Sequence, residues 1–185
     1  MITAPALRNR SFLRRLAGAA MLDAGTYEEV EADEAATRQA VGVVLLSSIS
    51  AGLGARGFGA HGLAAVALFS VVALMAWAAW SLVTYQIGVR LLPEVTTRAD
   101  VGQLLRTIGF ATAPGILRVF GVVPGLGMPV FVISAVWMLA AMIVAVRQAL
   151  DYTSTRRAVA VCGLGWLFAF GFVLLFGLFF GPRLS

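Results

Sequence analysis

The chain has 185 residues, of which 60% are hydrophobic and only 12% are charged. A water-soluble domain is closer to half apolar and a quarter charged, so this composition excludes an ordinary soluble protein and predicts a protein of the lipid bilayer. The net charge of +5 is the difference between 14 basic residues and 9 acidic ones, and the basic residues, all arginine, are scattered at the edges of apolar segments. That distribution suits membrane orientation and forms no continuous patch for nucleic acid.

Metal and cofactor chemistry have little support in the sequence. The chain has one cysteine, Cys162, inside an apolar run and one histidine, His61, in a glycine-rich loop. A zinc site needs three or four protein ligands, so these two residues cannot form one. We expect no bound metal, no cofactor and no internal disulfide.

The first 38 residues are the only long polar region and are predicted to be a cytoplasmic, amphipathic helical segment. Arg8, Arg10, Arg14 and Arg15 alternate with leucine and phenylalanine, which on a helix gives one apolar side with a basic surround. Such a helix either lies at the membrane interface or packs on the end of a bundle, and both alternatives stay open. Thr26 and Glu29 have capping-box spacing, which predicts a second helix with a solvated acidic face.

Five apolar segments follow, each near the length of about 20 residues that a helix needs to cross a bilayer. Pro93 separates the second segment from the third, and Thr97 with Asp100 is typical of the cap that begins the third. The sequence therefore predicts an all-α integral membrane protein, a five-helix bundle over residues 39–181 with a short tail, 182–185. The spans are predicted at 39–55, 63–89, 104–123, 129–146 and 158–180.

The arginines predict the orientation of this bundle. With the N-terminus in the cytoplasm, eleven arginines fall in cytoplasmic segments, only Arg56 and Arg183 fall outside, and Arg118 lies within a span. This bias follows the positive-inside rule and favours a full crossing by the third segment. We therefore expect a cell-membrane protein, in a prokaryote by its arginine-rich, lysine-free composition, with its C-terminus outside the cytoplasm.

The third segment contains "GFATAPGILRVFGVVPGLG", an apolar stretch with residues that disturb a helix. Pro114 removes a helix hydrogen bond, and in hydrocarbon the released carbonyl has to be satisfied by neighbouring helices or water. Small residues beside it let another backbone approach closely. A kinked, tightly packed central helix is predicted, with Gly109, Phe110, Pro114 and Gly115 as its packing motif.

Arg118 is a charge inside this apolar segment. About 12 residues separate it from Arg106 at the inner edge, which places it beyond the midplane at helical rise. Since no carboxylate lies within any predicted span, it either snorkels, pairs with a group from elsewhere, or binds an anionic headgroup or substrate. Arg118, Arg106 and Thr112 are the candidate contacts for a lipid or ligand.

The residues also resemble a known family. "GFATAP" is similar to the glycine–aromatic–x3–proline pattern in the third span of the Yip1 family, and "VWMLAAMIVAVRQALDYTSTRRAVAV" resembles the fourth-to-fifth span region of its bacterial members. The resemblance covers residues 5–180 and implies five spans with a cytoplasmic N-terminus. Eukaryotic relatives act in vesicle traffic and associate with Rab GTPases. Their aspartate–leucine–tyrosine–glycine–proline motif is replaced here by "VEADEAATRQA", so a Rab-binding role is not carried over.

The functional hypothesis is a non-enzymatic membrane scaffold or accessory subunit that binds lipid or membrane-protein partners. Gly177 and Gly181 have the spacing of a helix-association motif, so self-association is expected. The alternative is a small transporter or permeation pathway that uses the kinked third helix with Arg118. Ser47, Ser48, Ser50, Thr107 and Thr112 are the other groups that could line such a pathway. An enzyme built on Asp100, Asp151 and Tyr152 is the third and weakest hypothesis.

Overall fold

The computed structural model describes residues 12–55 and 63–180 and is helical in every regular element within those ranges. The elements, in chain order, are α1 (Phe12–Ala20), α2 (Ala24–Ala32), α3 (Ala36–Gly54), α4 (Leu63–Gln86) with a π-helical extension (Ile87–Leu91), α5 (Val101–Phe110), a 3-10 helix (Ala113–Val122), α6 (Gly127–Ala149) and α7 (Thr155–Phe180). The predicted all-α class is confirmed. Within the described part of the chain, three helical stretches are long and apolar enough to cross a membrane: Ala36–Gly54, Val66–Leu91 and Gly127–Ala149.

The segment predicted as a single third span, residues 104–123, is two different helices. α5 ends at Phe110, and the chain continues as a 3-10 helix from Ala113 to Val122. Pro114 stands at the start of the 3-10 helix, where its missing N–H costs no hydrogen bond. The prediction of one kinked helix is therefore wrong in its detail, because an α-helix ends at Phe110 and a 3-10 helix begins at Ala113.

Small residues allow this third segment to lie against α3 along much of the length of α3. A Cβ atom added at Gly109 would lie 2.7 Å from Cβ of Ala40, and one added at Gly115 would lie 2.1 Å from Oγ of Ser47. Both glycines therefore mark places where a residue of α3 occupies the space that a side chain would need. Because Ala40 and Ser47 are two turns apart on α3, the third segment runs alongside that helix.

The N-terminal helices α1 and α2 form a hairpin that packs on the bundle. The buried side chains of Ala19, Tyr27 and Val30 share one core with residues of α3, α5 and α6. Trp137 of α6 donates an indole hydrogen bond to the carbonyl of Ala20 at 2.7 Å. The described part of this region packs on the bundle, while residues 1–11, with Arg8 and Arg10, lie outside the described residues.

Two local expectations for the hairpin are wrong. The cap of α2 is Asp23, whose carboxylate accepts hydrogen bonds from the backbone N–H groups of Gly25 and Thr26, so the helix begins before the predicted Thr26–Glu29 box. Arg15 is also not on a solvated basic surface, because its guanidinium is 3% exposed and is paired with Glu29 at 2.9 Å and Asp33 at 2.8 Å. The ion pairs of Arg15 with Glu29 and Asp33 therefore bury a side chain that the amphipathic pattern of α1 alone predicts to be exposed.

Acidic groups crowd around Glu31, at the end of α2. Burial, with the nearby carboxylate of Asp151 and more weakly those of Glu28 and Asp100, raises the pKa of Glu31 from 4.5 to about 7, against the opposing charge of Arg106. A raised carboxyl pKa means that the folded protein holds a proton which the unfolded chain has lost. The free energy of unfolding should therefore fall as the pH rises from about 4.5 to about 7 and then level off.

Glu31→Gln is expected to remove this pH dependence and to stabilise the protein at pH 8 by about 1 kcal/mol, a value reduced because solvent screens the half-buried group. Thermal unfolding in mild detergent between pH 5 and pH 8 measures the effect. Glu34→Gln is the matched control, since Glu34 is exposed in the same region. Parallel pH profiles for the wild type and Glu31→Gln would refute this account of Glu31.

Candidate ligand site around Arg118

A cavity of about 580 Å³ lies between α3, α4, the third segment, α6 and α7. Most of its wall is aliphatic or aromatic. Its polar side chains are four of the residues that the sequence suggested for a pathway or ligand site: Ser47, Ser48, Thr112 and Arg118. The fold thus brings together groups that lie up to 71 positions apart in the chain, by the difference between 118 and 47.

Arg118 enters this cavity without a hydrogen-bonding partner among the described residues. Its Nε atom is buried and has no acceptor, and its guanidinium lies 5.5 Å from the centre of the Phe131 ring. A cation over an aromatic face is favourable, but it leaves the N–H groups of the guanidinium without acceptors. A buried donor without an acceptor is costly, so this group is suited to an oxygen-bearing anion.

The hydroxyl groups of the cavity differ in what they can offer. Ser48 donates to the carbonyl of Val44 at 2.7 Å, and Thr112 donates to the carbonyl of Gly109 at 2.7 Å. Both hydroxyls keep lone pairs free to accept but have committed their protons. Ser47 is 5% exposed and its hydroxyl makes no hydrogen bond to the described part of the protein. It is the hydroxyl best placed to donate to a ligand beside Arg118.

Arg106, the other predicted ligand contact, has a different position. Its Nε atom lies 3.1 Å from the carbonyl of Val30 and 3.0 Å from that of Glu31, and its terminal nitrogen also donates to Glu31. The side chain is 6% exposed and is not part of the lining of the Arg118 cavity. In this arrangement Arg106 fastens the end of α2 to α5.

The predicted packing motif lies next to the cavity. Phe110 and Pro114 are fully buried, and Gly109 and Gly115 contact α3 as described above. Gly115 also approaches the sulfur of Met138, which lines the cavity. The motif thus holds the backbone from which Thr112 and Arg118 extend. Of the predicted association pair, Gly177 lies within α7, and Gly181 lies outside the described residues.

Sequence reasoning missed the aromatic wall of the site. Trp77, Trp80 and Trp166 all line the cavity. Trp77 donates to the carbonyl of Leu105 at 3.1 Å, and Trp80 lies 5.6 Å from Trp166, centre to centre. Trp77 and Trp80 fall in the second half of the predicted second span, where interfacial aromatic residues are expected. The sequence feature that could have indicated this wall is Gly165, a small residue against which the Trp80 ring packs.

Two of the three residues considered for catalysis, Asp100 and Tyr152, make structural hydrogen bonds. Asp100 caps α5 in a reciprocal capping box with Gln103, so the predicted Thr97–Asp100 cap is right for Asp100 and wrong for Thr97, whose hydroxyl accepts a hydrogen bond from the backbone N–H of Glu94. The Tyr152 hydroxyl lies 3.0 Å from the carbonyl of Gly88 and 2.8 Å from that of Leu92, and burial raises the pKa of Tyr152 to about 12. In the described ranges no group of three or more His, Cys, Asp or Glu residues is placed to hold a metal ion.

Comparison with known proteins gives one match. The family model described as Yip1 domain matches residues 25–177, which includes α2 to α6, most of α7 and every described residue of the Arg118 cavity. Neither the curated proteins nor the solved structures give a match to this chain.

Proposed function

The chain belongs to the Yip1 family, and on that premise we propose that it is a non-enzymatic, multi-pass membrane protein that binds an acidic lipid and acts as a scaffold or accessory subunit for other membrane proteins. Its apolar helices identify it as a membrane protein. The observation that carries the lipid-binding part is the guanidinium of Arg118, which has no hydrogen-bond acceptor among the described residues and lies in a mostly apolar cavity. An amphiphile with an acidic head could pair that head with Arg118 and pack its apolar part against the cavity wall.

Five crossings with a cytoplasmic N-terminus remain part of this proposal. The third segment runs beside α3, which is itself long enough to span a membrane. Ten α-helical residues and ten 3-10 residues extend about 15 Å and about 20 Å, which together exceed the bilayer core of about 30 Å. The hydrophobic length of α7 and the arginine distribution support the remaining crossings and the orientation.

Arg118→Gln is expected to lower the affinity for phosphatidylglycerol about tenfold, since one charge-assisted contact is worth about 1.5 kcal/mol or more. The measurement is lipid binding to the full-length protein in mild detergent, by native mass spectrometry. Arg98→Gln is the matched control, because Arg98 is exposed and does not line the cavity.

A stability measurement separates binding from folding. Arg118 has no hydrogen-bonding partner in the described structure, so Arg118→Gln should not lower the unfolding temperature of the lipid-free protein. Lipid should raise the unfolding temperature of the wild type more than that of the variant. Equal binding and equal stabilisation in both proteins would exclude Arg118 as a lipid contact.

The alternative function, a permeation pathway, is favoured by one observation: the polar cavity residues lie together inside the bundle. Cysteines introduced at positions 48 and 112, in a chain whose Cys162 is replaced by serine, test it. Sustained labelling by a water-soluble reagent from both sides of the membrane supports a pathway. Protection from the reagent supports the closed, lipid-binding scaffold.

A further inference from the structure

A second and larger concavity, of about 1180 Å³, lies between α4 and α7. We call it the α4–α7 groove. Its walls are nearly all apolar, from Ala79 and Val83 on α4 to Leu164 and Phe168 on α7. Trp80 lines both this groove and the Arg118 cavity and so forms part of the wall of each.

Small residues and one polar anchor give the groove its form. Gly165 of α7 lets the Trp80 ring come close, with a built Cβ only 2.9 Å from the ring, so the tryptophan lies against the floor of the groove. At one end the π-helical extension carries Arg90. The Tyr152 hydroxyl holds that extension by hydrogen bonds to the carbonyls of Gly88 and Leu92, two residues on either side of Arg90.

The charge of the groove is confined to this end. Arg90 and Gln86 are its polar side chains apart from the indole of Trp80. Arg90 is exposed and makes no ion pair or hydrogen bond with the described part of the chain. Arg157, by contrast, pairs with Glu94 at 3.3 Å and donates to the carbonyl of Pro93 at 2.7 Å. The groove therefore presents an unpaired cation at one end and hydrocarbon along the rest.

We propose that the α4–α7 groove binds an acidic phospholipid, with its phosphate on Arg90 and one acyl chain along Trp80 and Phe168. The charge distribution selects this occupant, because a lipid with an acidic head has the same division into one charged end and one apolar length. A wholly apolar partner helix would leave Arg90 without a counter-charge. The inference rests on the proposed lipid-binding function, but it assigns a site that is separate from Arg118.

The test measures phosphatidylglycerol and phosphatidylcholine with identical acyl chains, binding to the full-length protein by native mass spectrometry. It is carried out both in the wild type and with Arg118→Gln, so that each site is measured without the other. Arg90→Gln is expected to weaken phosphatidylglycerol binding about fivefold in both backgrounds and to leave phosphatidylcholine unchanged. Arg156→Gln, the matched control at an exposed arginine outside the groove, should have no effect.

The apolar half of the site has its own test. Ala79→Leu extends a side chain into the groove without a change of charge and should weaken both lipids. Phosphatidylglycerol with brominated acyl chains should quench the fluorescence of the protein, and Trp80→Phe should remove the largest share of that quenching. Together these results would place an acyl chain in the groove.

Three results would overturn the proposal. Equal losses of phosphatidylglycerol affinity in Arg90→Gln and Arg156→Gln would mean that the lipid is attracted to basic residues in general and has no specific site at Arg90. Unchanged lipid binding with Ala79→Leu, accompanied by loss of a cross-linked dimer, would mean that a second copy of the chain occupies the groove. A loss with Arg118→Gln but none with Arg90→Gln would remove this site and leave the proposed function intact.

Discussion

Replacing Gly54 with alanine is expected to destabilise the protein by about 3 kcal/mol, the upper end of the usual range for an added methyl group in a packed interior. The new Cβ would lie 1.9 Å from the backbone oxygen of Arg118 and 2.9 Å from its carbonyl carbon. A backbone cannot rotate away as a side chain can, so α3 and the 3-10 helix have to move apart. Their separation would open the Arg118 cavity as well as weaken the fold.

Gly42→Ala is the matched control for this change. Gly42 lies on the same helix, and a Cβ built there has no atom within 4 Å. Alanine at that position should be neutral or stabilise the helix by about 0.5 to 1 kcal/mol, since glycine is a weak helix former. Thermal unfolding of both variants in the same detergent gives the comparison. Similar unfolding temperatures would show that α3 does not touch the 3-10 helix at Gly54.

Hydrophobic segments and the helix-breaking or capping residues between them predict the main helices well, because both are properties of the local sequence. The first and fourth predicted spans, 39–55 and 129–146, fall largely within α3 (Ala36–Gly54) and α6 (Gly127–Ala149). Thr97 and Asp100 were predicted together at the cap of the third segment from residue type and position, and Asp100 does cap α5, although its partner is Gln103. These features require no knowledge of which helix lies beside which.

Features that depend on contacts between helices could not be predicted in the same way. The change to a 3-10 helix after Thr112 places glycines opposite small residues of α3, and hydropathy carries no information about that fit. The burial of Arg15 likewise needs Glu29 and Asp33 to fold back on it, 14 and 18 positions along the chain, from the residue numbers. An amphipathic pattern describes one helix alone and cannot show this.

The candidate site was predicted in part for the same reason. Arg118 and the hydroxyl residues stood out because polar groups are expensive in a bilayer, and that cost is a property of each residue. Their meeting in one cavity depends on the rotation of α3 against the third segment. Arg106 carries the same charge as Arg118, and only the position of the α2 carbonyls distinguishes its role from that of a ligand contact.

Arg15→Ala is expected to destabilise the N-terminal hairpin by about 3 to 5 kcal/mol, because it breaks the buried ion pair between Arg15 and Glu29. The guanidinium pairs with Glu29 and Asp33 and donates to the side-chain oxygen of Gln39 at 3.1 Å. Hydrogen bonds to Arg15 and to the backbone of Ala35 outweigh burial and lower the pKa of Asp33, so the charged pair is already present at neutral pH. The same bridge joins α1 to α2 and to the start of α3.

Because this energy is concentrated in the hairpin, its loss should appear first as local opening of α1 and α2. Limited proteolysis by a protease of broad specificity should cut the Arg15→Ala variant between residues 12 and 35 much faster than the wild type, before the bundle itself unfolds. Arg14→Ala is the control, since Arg14 is exposed one position away on the same helix. If both variants are cut at the wild-type rate, the buried bridge does not hold the hairpin on the bundle, and its other contacts, such as the packing of Tyr27 and the hydrogen bonds from Arg106 and Trp137, hold it there.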